Sequence, residues 1–287
     1  MRALRNTFLA LALLAALPAW GADVLVVQSG RSAAYEESLR GFQAVYKGTV
    51  QTVVLSDYAE VDVVRLVNEE HPRLVLAVGD AAIGASRKVG QVPVVGLLSL
   101  SLNLAKAPAG PFSAVGMLPP PERYLELCQR LGAKRVGVIH DPARTGQYLK
   151  RARQAARPLG IELVVREVHT PPDTIARLEQ LEGAVDALWM LPDATAVTSA
   201  TLDAWFLFSL RQKVPVVTFS EQYLARGAAV SLDVDRTDLG HQAGELANAL
   251  LTRAASPPVS LDARKVQAHG NPTVGRNLGI DLSTIVK

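Results

Sequence analysis

The residues best placed to do chemistry in this chain come in two matched sets. Pro-Arg-Leu-Val-Leu-Ala-Val-Gly-Asp-Ala-Ala spans Pro72 to Ala82, and Val-Asp-Ala-Leu-Trp-Met-Leu-Pro-Asp-Ala spans Val185 to Ala194. Each is a short apolar run ending in a turn residue followed by an aspartate, Asp80 in one and Asp193 in the other. Uninterrupted runs of this kind suit strands buried on both faces, and open α/β sheets take their ligands at the carboxyl ends of such strands. The turns there are Ser29 to Ala33, Gly79 to Ala81 and Leu98 to Ser99 in the first half. In the second half they are Asp141 with Arg144 to Tyr148, Pro192 to Thr195, and Phe219 to Glu221. From the first half the candidate ligand contacts are Ser32, Ala33, Tyr35, Gly79, Asp80, Leu98 and Ser99; from the second they are Tyr148, Asp193, Phe219, Glu221 and Asp233.

Their chemistry is that of holding a small molecule. Amides at helix starts near Ala33 and Ala81 suit a carboxylate. Asp193 suits a ligand ammonium, and Tyr35, Tyr148 or Phe219 suit aromatic walls. The same residue types also have structural duties open to them. Ser32, Asp80 and Asp193 are capping residues, Tyr35 and Tyr148 fit a core, and Asp233 and Asp235 fit a hinge; Trp189, in mid-strand, reads as core.

Motifs for catalysis and for nucleotides are missing. The first strand is not followed by Gly-x-Gly-x-x-Gly, and no Gly-x-x-x-x-Gly-Lys-Ser/Thr loop occurs. No Gly-x-Ser-x-Gly elbow presents a serine nucleophile. The five histidines, at 71, 140, 169, 241 and 269, lack the spacing of metal ligands. No cofactor and no metal are expected. Cys128, the single cysteine, lies in Tyr124-Leu125-Glu126-Leu127-Cys128 and reads as a small apolar residue on a helix face.

The elements that position these turns follow from hydrophobic periodicity. A first strand at Val24 to Val27 leads to a helix from about Ala33 to Tyr46, whose Tyr35, Leu39, Phe42 and Tyr46 recur at three- and four-residue steps. Strands near Val50 to Leu55, Leu74 to Val78 and Val94 to Leu97 then alternate with helices near Ala59 to Glu70 and Ala81 to Val89. Residues 99 to 120, rich in proline and glycine, read as a passage without regular structure. The second half repeats the pattern. Its strands are Arg135 to His140, Glu162 to Val168, Ala187 to Leu191 and Val216 to Phe219, with helices at about Thr145 to Arg157, Asp173 to Leu181 and Ala196 to Gln212. Val92-Pro93-Val94-Val95 and Val214-Pro215-Val216-Val217 reinforce the match, and equivalent strands are spaced by roughly 112 positions, a duplicated domain in size. Alternation of this kind specifies an α/β fold with parallel sheets and right-handed crossovers. Asp233 to Asp235 and Leu261 to Val266 read as further crossings, which makes a three-segment hinge around a helix from about Thr237 to Leu251.

With 49% hydrophobic residues in 287, the chain has enough apolar content for two compact domains. Arg2 and Arg5 precede an apolar stretch from Phe8 to Leu17, and Ala19 and Gly21 suit a signal-peptidase site, so residues 1–21 read as a cleaved leader. The remaining 28 basic and 27 acidic residues nearly balance. Arg144, Lys150, Arg151, Arg153 and Arg157 form the one basic concentration and read as a solvated helix face, so no nucleic-acid partner is expected. No cysteine follows the leader to carry a lipid. The expected location is the periplasm, and the expected domains are 22–116 plus 236–262, and 117–235 plus 263–287.

Several stretches resemble, in order, the substrate-binding protein family of ABC transporters whose better-known members bind aromatic or branched amino acids. They are Ser32-Ala33-Ala34-Tyr35 with Gly41-Phe42, Ala77-Val78-Gly79 with Val92-Pro93-Val94, Arg135-Val136-Gly137-Val138 with Asp141-Pro142, Leu191-Pro192-Asp193 and Val214-Pro215-Val216. Gly227-Ala228, Leu239-Gly240 and Asn277-Leu278-Gly279-Ile280 continue the series. The resemblance implies the type I periplasmic binding-protein fold, two Rossmann-like lobes closing on a small-molecule ligand, and an ABC permease in the inner membrane as partner of a monomeric binding protein. It also exposes departures in the pocket. Where the family usually has a hydroxyl or small residue after the strand-end glycine this chain has Asp80, its Asp-Asn pair is Asp193-Ala194 here, and its Asp-Pro after the fourth strand is Ser99-Leu100-Ser101. The reading is a periplasmic solute-binding protein of an importer, for a small polar or amphipathic solute such as an amino acid. The alternatives are a sensory or accessory protein that binds without transport, and an enzyme working in the same cleft.

Overall fold

Apolar runs without alternation become central strands because parallel sheets are covered on both faces. All five residues of β1 (Val24–Gln28) and of β3 (Leu74–Val78) are buried. The computed structural model describes residues 22–100, 102, 111–252 and 258–284. The leader expected at residues 1–21 lies outside the described residues. In chain order the first half contains β1, α1 (Ala33–Val45), β2 (Val50–Val54), α2 (Val63–Glu70), β3, α3 (Asp80–Ser86), β4 (Val94–Leu97) and β5 (Phe112–Val115). The second half contains α4 (Pro121–Arg130), β6 (Arg135–His140), α5 (Pro142–Ala156), β7 (Glu162–Glu167), α6 (Asp173–Glu179) and β8 (Ala187–Trp189). It continues with α7 (Leu202–Gln212), β9 (Val216–Thr218) and β10 (Val230–Val234). The chain then adds α8 (Arg236–Thr252), β11 (Ser260–Leu261), β12 (Val266–Gly270) and α9 (Pro272–Leu278).

Two six-stranded sheets result, ordered β11-β5-β4-β3-β1-β2 and β12-β10-β9-β8-β6-β7. All pairings are parallel except β10 with β12, which lets the last strand return along the edge of the second sheet. The fold is therefore α/β in two lobes, as the periodicity indicates. In each sheet the strand order reverses once, between β1 and β3 in the first and between β6 and β8 in the second. Those two reversals are where such sheets open a crevice.

Two expectations need correction. Residues 99 to 120 are not a structureless passage, because Phe112–Val115 is a buried strand whose residues pair with β4 on one side and β11 on the other. Ser113 breaks its apolar run, and Pro108, Gly110 and Pro111 just before it read as a loop. The helix expected from Ala196 begins only at Leu202. Residues 194–201 instead wind into turns held by hydroxyls, with Thr201 Oγ1 donating to the Ala196 carbonyl at 2.9 Å and Trp205 Nε1 to the same oxygen at 3.1 Å.

Helix α8 follows the second sheet in the chain but packs on the first. Leu239, Ala243 and Ala247 join Phe42 of α1 and Tyr46, the residue just after it, in one buried cluster. The two helices touch backbone to backbone: a Cβ added at Gly41 would overlap the Thr237 carbonyl oxygen, and one at Gly240 the Ser38 carbonyl oxygen. Ser38 Oγ seals the crossing by donating to the Arg236 carbonyl at 2.8 Å.

The sheets are joined three times, at 116–120, at Asp235 and at 262–265, and each crossing leaves the carboxyl end of a strand, β5, β10 or β11. The carboxyl edges of both sheets are therefore turned toward the same gap. The crossings are tied to one another and to both halves. Ala263 N donates to Leu118 O at 3.0 Å, Asp235 N to Lys265 O at 3.0 Å, and the Lys265 ammonium lies 2.7 Å from the Asp235 carboxylate. Arg264 grips Asp238 and Glu245 of α8, while Arg151 of α5 forks onto Asp262. The Lys265 bond, ahead of the opposing effect of burial, holds the Asp235 carboxyl below its ordinary range.

Cys128 sits on the inner face of α4, fully buried, and burial pushes its thiol up to about 12. A thiol so protonated and covered is inert in the folded state. Ellman's reagent is expected to label it only as fast as the protein opens, and stoichiometric labelling within minutes at pH 8 without denaturant would contradict this placement.

Candidate ligand-binding cleft

In the first lobe the crevice lies at the β1/β3 reversal, and the loop after β1 is stitched to the loop after β3. Ser29 N donates to Val78 O at 2.9 Å, Ser29 Oγ donates to the same carbonyl at 3.1 Å, and Ser29 Oγ accepts from Ala82 N at 2.9 Å. Gly79 has φ +89° and ψ 167°, a conformation that side chains resist. A Cβ there would also overlap the Tyr35 hydroxyl and lie 2.6 Å from Ser29 Oγ. The missing side chain is thus what lets the half-buried Tyr35 close over the strand end. Ser32 is exposed and caps α1, its Oγ accepting from Tyr35 N at 3.2 Å, with Ala33 exposed beside it. Asp80 is exposed, and its carboxylate accepts the hydroxyl of buried Ser99. Leu98, which sets Ser99 in place, is buried at φ +55°.

The second lobe is built differently, and two candidates change role. Asp193 is 1% exposed and fully engaged: Oδ2 accepts from Asp141 N at 2.8 Å and from Thr145 Oγ1 at 2.9 Å. Its Oδ1 accepts from Thr195 N at 2.9 Å and Ala196 N at 3.1 Å. A carboxylate so placed has no oxygen left for a ligand ammonium; it ties the loop after β8 to the start of α5. Tyr148 is 3% exposed and is a core residue, not a pocket wall. It faces the sheet from α5, edge-on to Trp189 at 5.9 Å, and its hydroxyl donates to Pro119 O at 2.8 Å. Burial drives that hydroxyl well above its ordinary pKa.

Above this buried knot stands Arg144, in the first turn of α5. Its Nε donates to Thr195 Oγ1 at 2.9 Å and lies 3.6 Å from Asp141 Oδ2. Asp141 in turn accepts from Thr195 Oγ1 at 2.8 Å and from Ala143 N at 2.9 Å. Burial alone would raise the Asp141 pKa, but these two bonds, with Arg144 and His169 nearby, together bring it below the ordinary carboxylate value. The side chain of Arg144 is 45% exposed. Ser29, Arg144 and Thr195 lie in turns that the sequence singles out, yet none is among the candidate contacts picked from it. Asp-Pro-x-Arg reads as a helix start, and only the β6/β8 reversal shows that its arginine stands on the ligand edge.

The remaining candidates gather near the waist. Phe219 is half-buried, edge-on to Tyr223 at 5.3 Å. Asp233 is half-buried and holds the following loop, accepting from Glu221 N at 3.0 Å and Ser231 Oγ at 2.6 Å. A polar pocket of about 370 Å³ next to the crossings is lined by Glu37, Glu221, Asp233, Arg236, Thr237 and His269, among others, so it draws on both lobes. The structure thus brings Glu221 and Asp233 together with Glu37, which sequence does not single out, and keeps Ser32, Tyr35, Gly79, Asp80 and Ser99 as a second group.

His140 ends β6 beneath the Asp193 knot. Thr145 donates to Asp193, so His140 offers Nδ1–H to Thr145 at 3.1 Å, and its buried Nε2 has no hydrogen-bond partner among the described residues. Burial lowers its pKa from the ordinary 6.5, against smaller opposing effects of Asp193 and Glu167. Below pH 6.5 the unfolded chain takes up this proton before the folded one does, so stability falls as pH drops from 6.5 toward the lower folded value. Thermal melts are expected to show a lower Tm at pH 5.5 than at pH 7.5, with the difference reduced in His140→Gln. An unchanged difference would assign the effect elsewhere.

Comparison with known proteins agrees with this architecture. A tyrosine-binding protein of Clostridioides difficile (strain R20291) is 25% identical over 130 residues, 44% of this chain and 37% of that protein. The match therefore spans well under half the length of that relative. The ligand-free, open structure of a substrate-binding protein with adhesive properties from Clostridium difficile superposes with a TM-score of 0.68 at 16% identity, covering 90% of this chain and 95% of that one. An ABC domain in complex with L-Trp from Streptococcus pneumonia gives 0.57 at 18% identity, again over 90% and 95%. At such identities these structures speak for the fold, which is that of type I periplasmic binding proteins. A family model for ABC transporter substrate binding proteins matches residues 59–285. Proteins of that family bind solutes and are not enzymes, which removes the cleft enzyme from the alternatives. The chain belongs to the ABC transporter substrate binding protein family.

Proposed function

We propose that the protein is the periplasmic receptor of an ABC importer, a monomer that takes an amino acid between its lobes and presents it to a permease in the inner membrane. The observation that carries the reading is topological. Two strand-order reversals, each with a built polar loop system, are turned toward one gap above three crossings. Contacts from both lobes then form only when the gap narrows, so a ligand favours the closed state. The lobes are taken as 22–116 plus 236–262 and 117–235 plus 263–287, following a cleaved, unlipidated leader at 1–21. Amino acids are favoured because the C. difficile relative binds tyrosine and the streptococcal domain holds L-Trp. Candidate contacts on the first lobe are Ser32, Tyr35, Gly79, Asp80 and Ser99, and on the second Phe219, Glu221 and Asp233.

The test is a thermal-shift screen of the purified protein against the twenty L-amino acids, with sugars, purines and small acids alongside. A ligand at a hundred times its dissociation constant stabilises by about 2.7 kcal/mol. A shift from one or a few amino acids supports the reading; a shift only from another class overturns it.

A further inference from the structure

We propose that the solute's carboxylate is received by Arg144 on the second lobe, while Asp80 on the first receives its ammonium group. The inference rests on the amino-acid reading and adds the direction in which the zwitterion lies across the cleft.

Position is the first argument. Arg144 bridges the loops after β6 and β8 through Thr195, and Asp80 follows β3 beside the Ser29 loop after β1. Each therefore stands at its own sheet's reversal of strand order, where ligands enter open α/β sheets. The two reversals belong to opposite walls of the same gap, so the two charges face a common occupant.

Preorganisation is the second. The guanidinium rests on a buried platform of Asp141, Thr145, Asp193 and Thr195. Its Nε is fixed, and its two terminal nitrogens make no hydrogen bond among the described residues. A planar fork held by one edge, with the other edge at a half-exposed surface, matches the two oxygens of a carboxylate. Asp141 does not compete for the solute's ammonium, since both its oxygens are engaged by Ala143 N and Thr195 Oγ1.

Polarity is the third. Asp80 is exposed at the place where an incoming carboxylate would otherwise meet the first lobe, and like charges at such range repel. The Ser99 hydroxyl holds one oxygen of Asp80, which orients the group. The negative end of the solute is turned away from this wall and toward Arg144.

Isothermal titration of the tightest-binding L-amino acid, its α-amide and its deamino acid tests the assignment, with wild type, Arg144→Gln, Arg144→Lys and Asp80→Asn. Wild type is expected to prefer the amino acid to the amide by roughly 10- to 100-fold, the range for charge-assisted hydrogen bonds. Arg144→Gln should lose most of that preference while binding the amide as before, and Arg144→Lys should keep part of it. Asp80→Asn should weaken the amino acid and leave the deamino acid unchanged. Each ratio is internal to one variant, so a moderate loss of stability does not imitate the result. Wild-type preference retained in Arg144→Gln, or Asp80→Asn weakening both ligands equally, overturns the inference and leaves the amino-acid reading standing. If none of the twenty amino acids binds, both fall.

Discussion

Replacing Asp193 by alanine is expected to destabilise the protein by about 3–5 kcal/mol, the cost of leaving several buried donors without their acceptor. The substitution leaves four donors facing a void: the amides of Asp141, Thr195 and Ala196 and the hydroxyl of Thr145. Any one of them, left buried and unmet, costs about 1–3 kcal/mol, with water entering the vacated space to recover part. Asp193→Asn should do less harm, since its carbonyl can keep the pair on Oδ1 while its amide opposes the donors at Oδ2. Urea unfolding at pH 7.5 separates the cases. A loss under about 1 kcal/mol for the alanine variant would mean that the loop after β8 does not depend on this carboxylate.

The second large effect belongs to the α1–α8 crossing. Gly240→Ala places a methyl group into the Ser38 carbonyl oxygen and 2.8 Å from Phe42 N, both of them backbone atoms that cannot rotate aside. The helices must separate, loosening Phe42, Tyr46, Leu239 and Ala243, and a cost of about 3 kcal/mol is expected, at the upper end for overpacked cores. Gly84→Ala is the matched control. Gly84 lies in α3 with nothing within 4 Å of its added Cβ, so the same chemical change should stabilise by about 0.5–1 kcal/mol through backbone entropy alone. Equal effects at the two sites would show that helix propensity rather than the close approach governs Gly240.

The contrast between the lobes explains what was legible in the sequence. Strands β1, β3, β6, β8 and β9 announce themselves because burial on both faces demands consecutive apolar residues, and the recurring Val-Pro-Val-Val marks where β4 and β9 begin. Edge and short strands carry no such demand. β5 is interrupted by Ser113 and preceded by Pro108, Gly110 and Pro111, and β11 spans two residues, so neither stands out as an apolar run. At the site, a local signal does not name its partner. An aspartate after a strand reads alike whether it meets solvent, as Asp80 does, or four protein donors, as Asp193 does. The deciding groups for Asp193 include Asp141 and Thr145, about fifty positions away, and no spacing rule reaches that far. Arg144 was obscured in the opposite sense. Its neighbours Lys150 and Arg153 along α5, and Arg157 just past it, are exposed, and the bond to Thr195 separates it from them.

The crossing pattern also governs the order in which the molecule can be made. Residues 236–261 supply α8 and β11 to the first sheet, so a nascent chain lacks the partner of α1 until residues 236–252 have been made. Contacts separated by about two hundred positions fold late and slowly, because the intervening loop must close before they are rewarded. A fragment ending at Asp235 would carry an uncovered α1 and a sheet missing its edge strand, a target for proteolysis and aggregation. The first lobe is thus completed only after β6 to β10 of the second have been made, which couples the folding of the two.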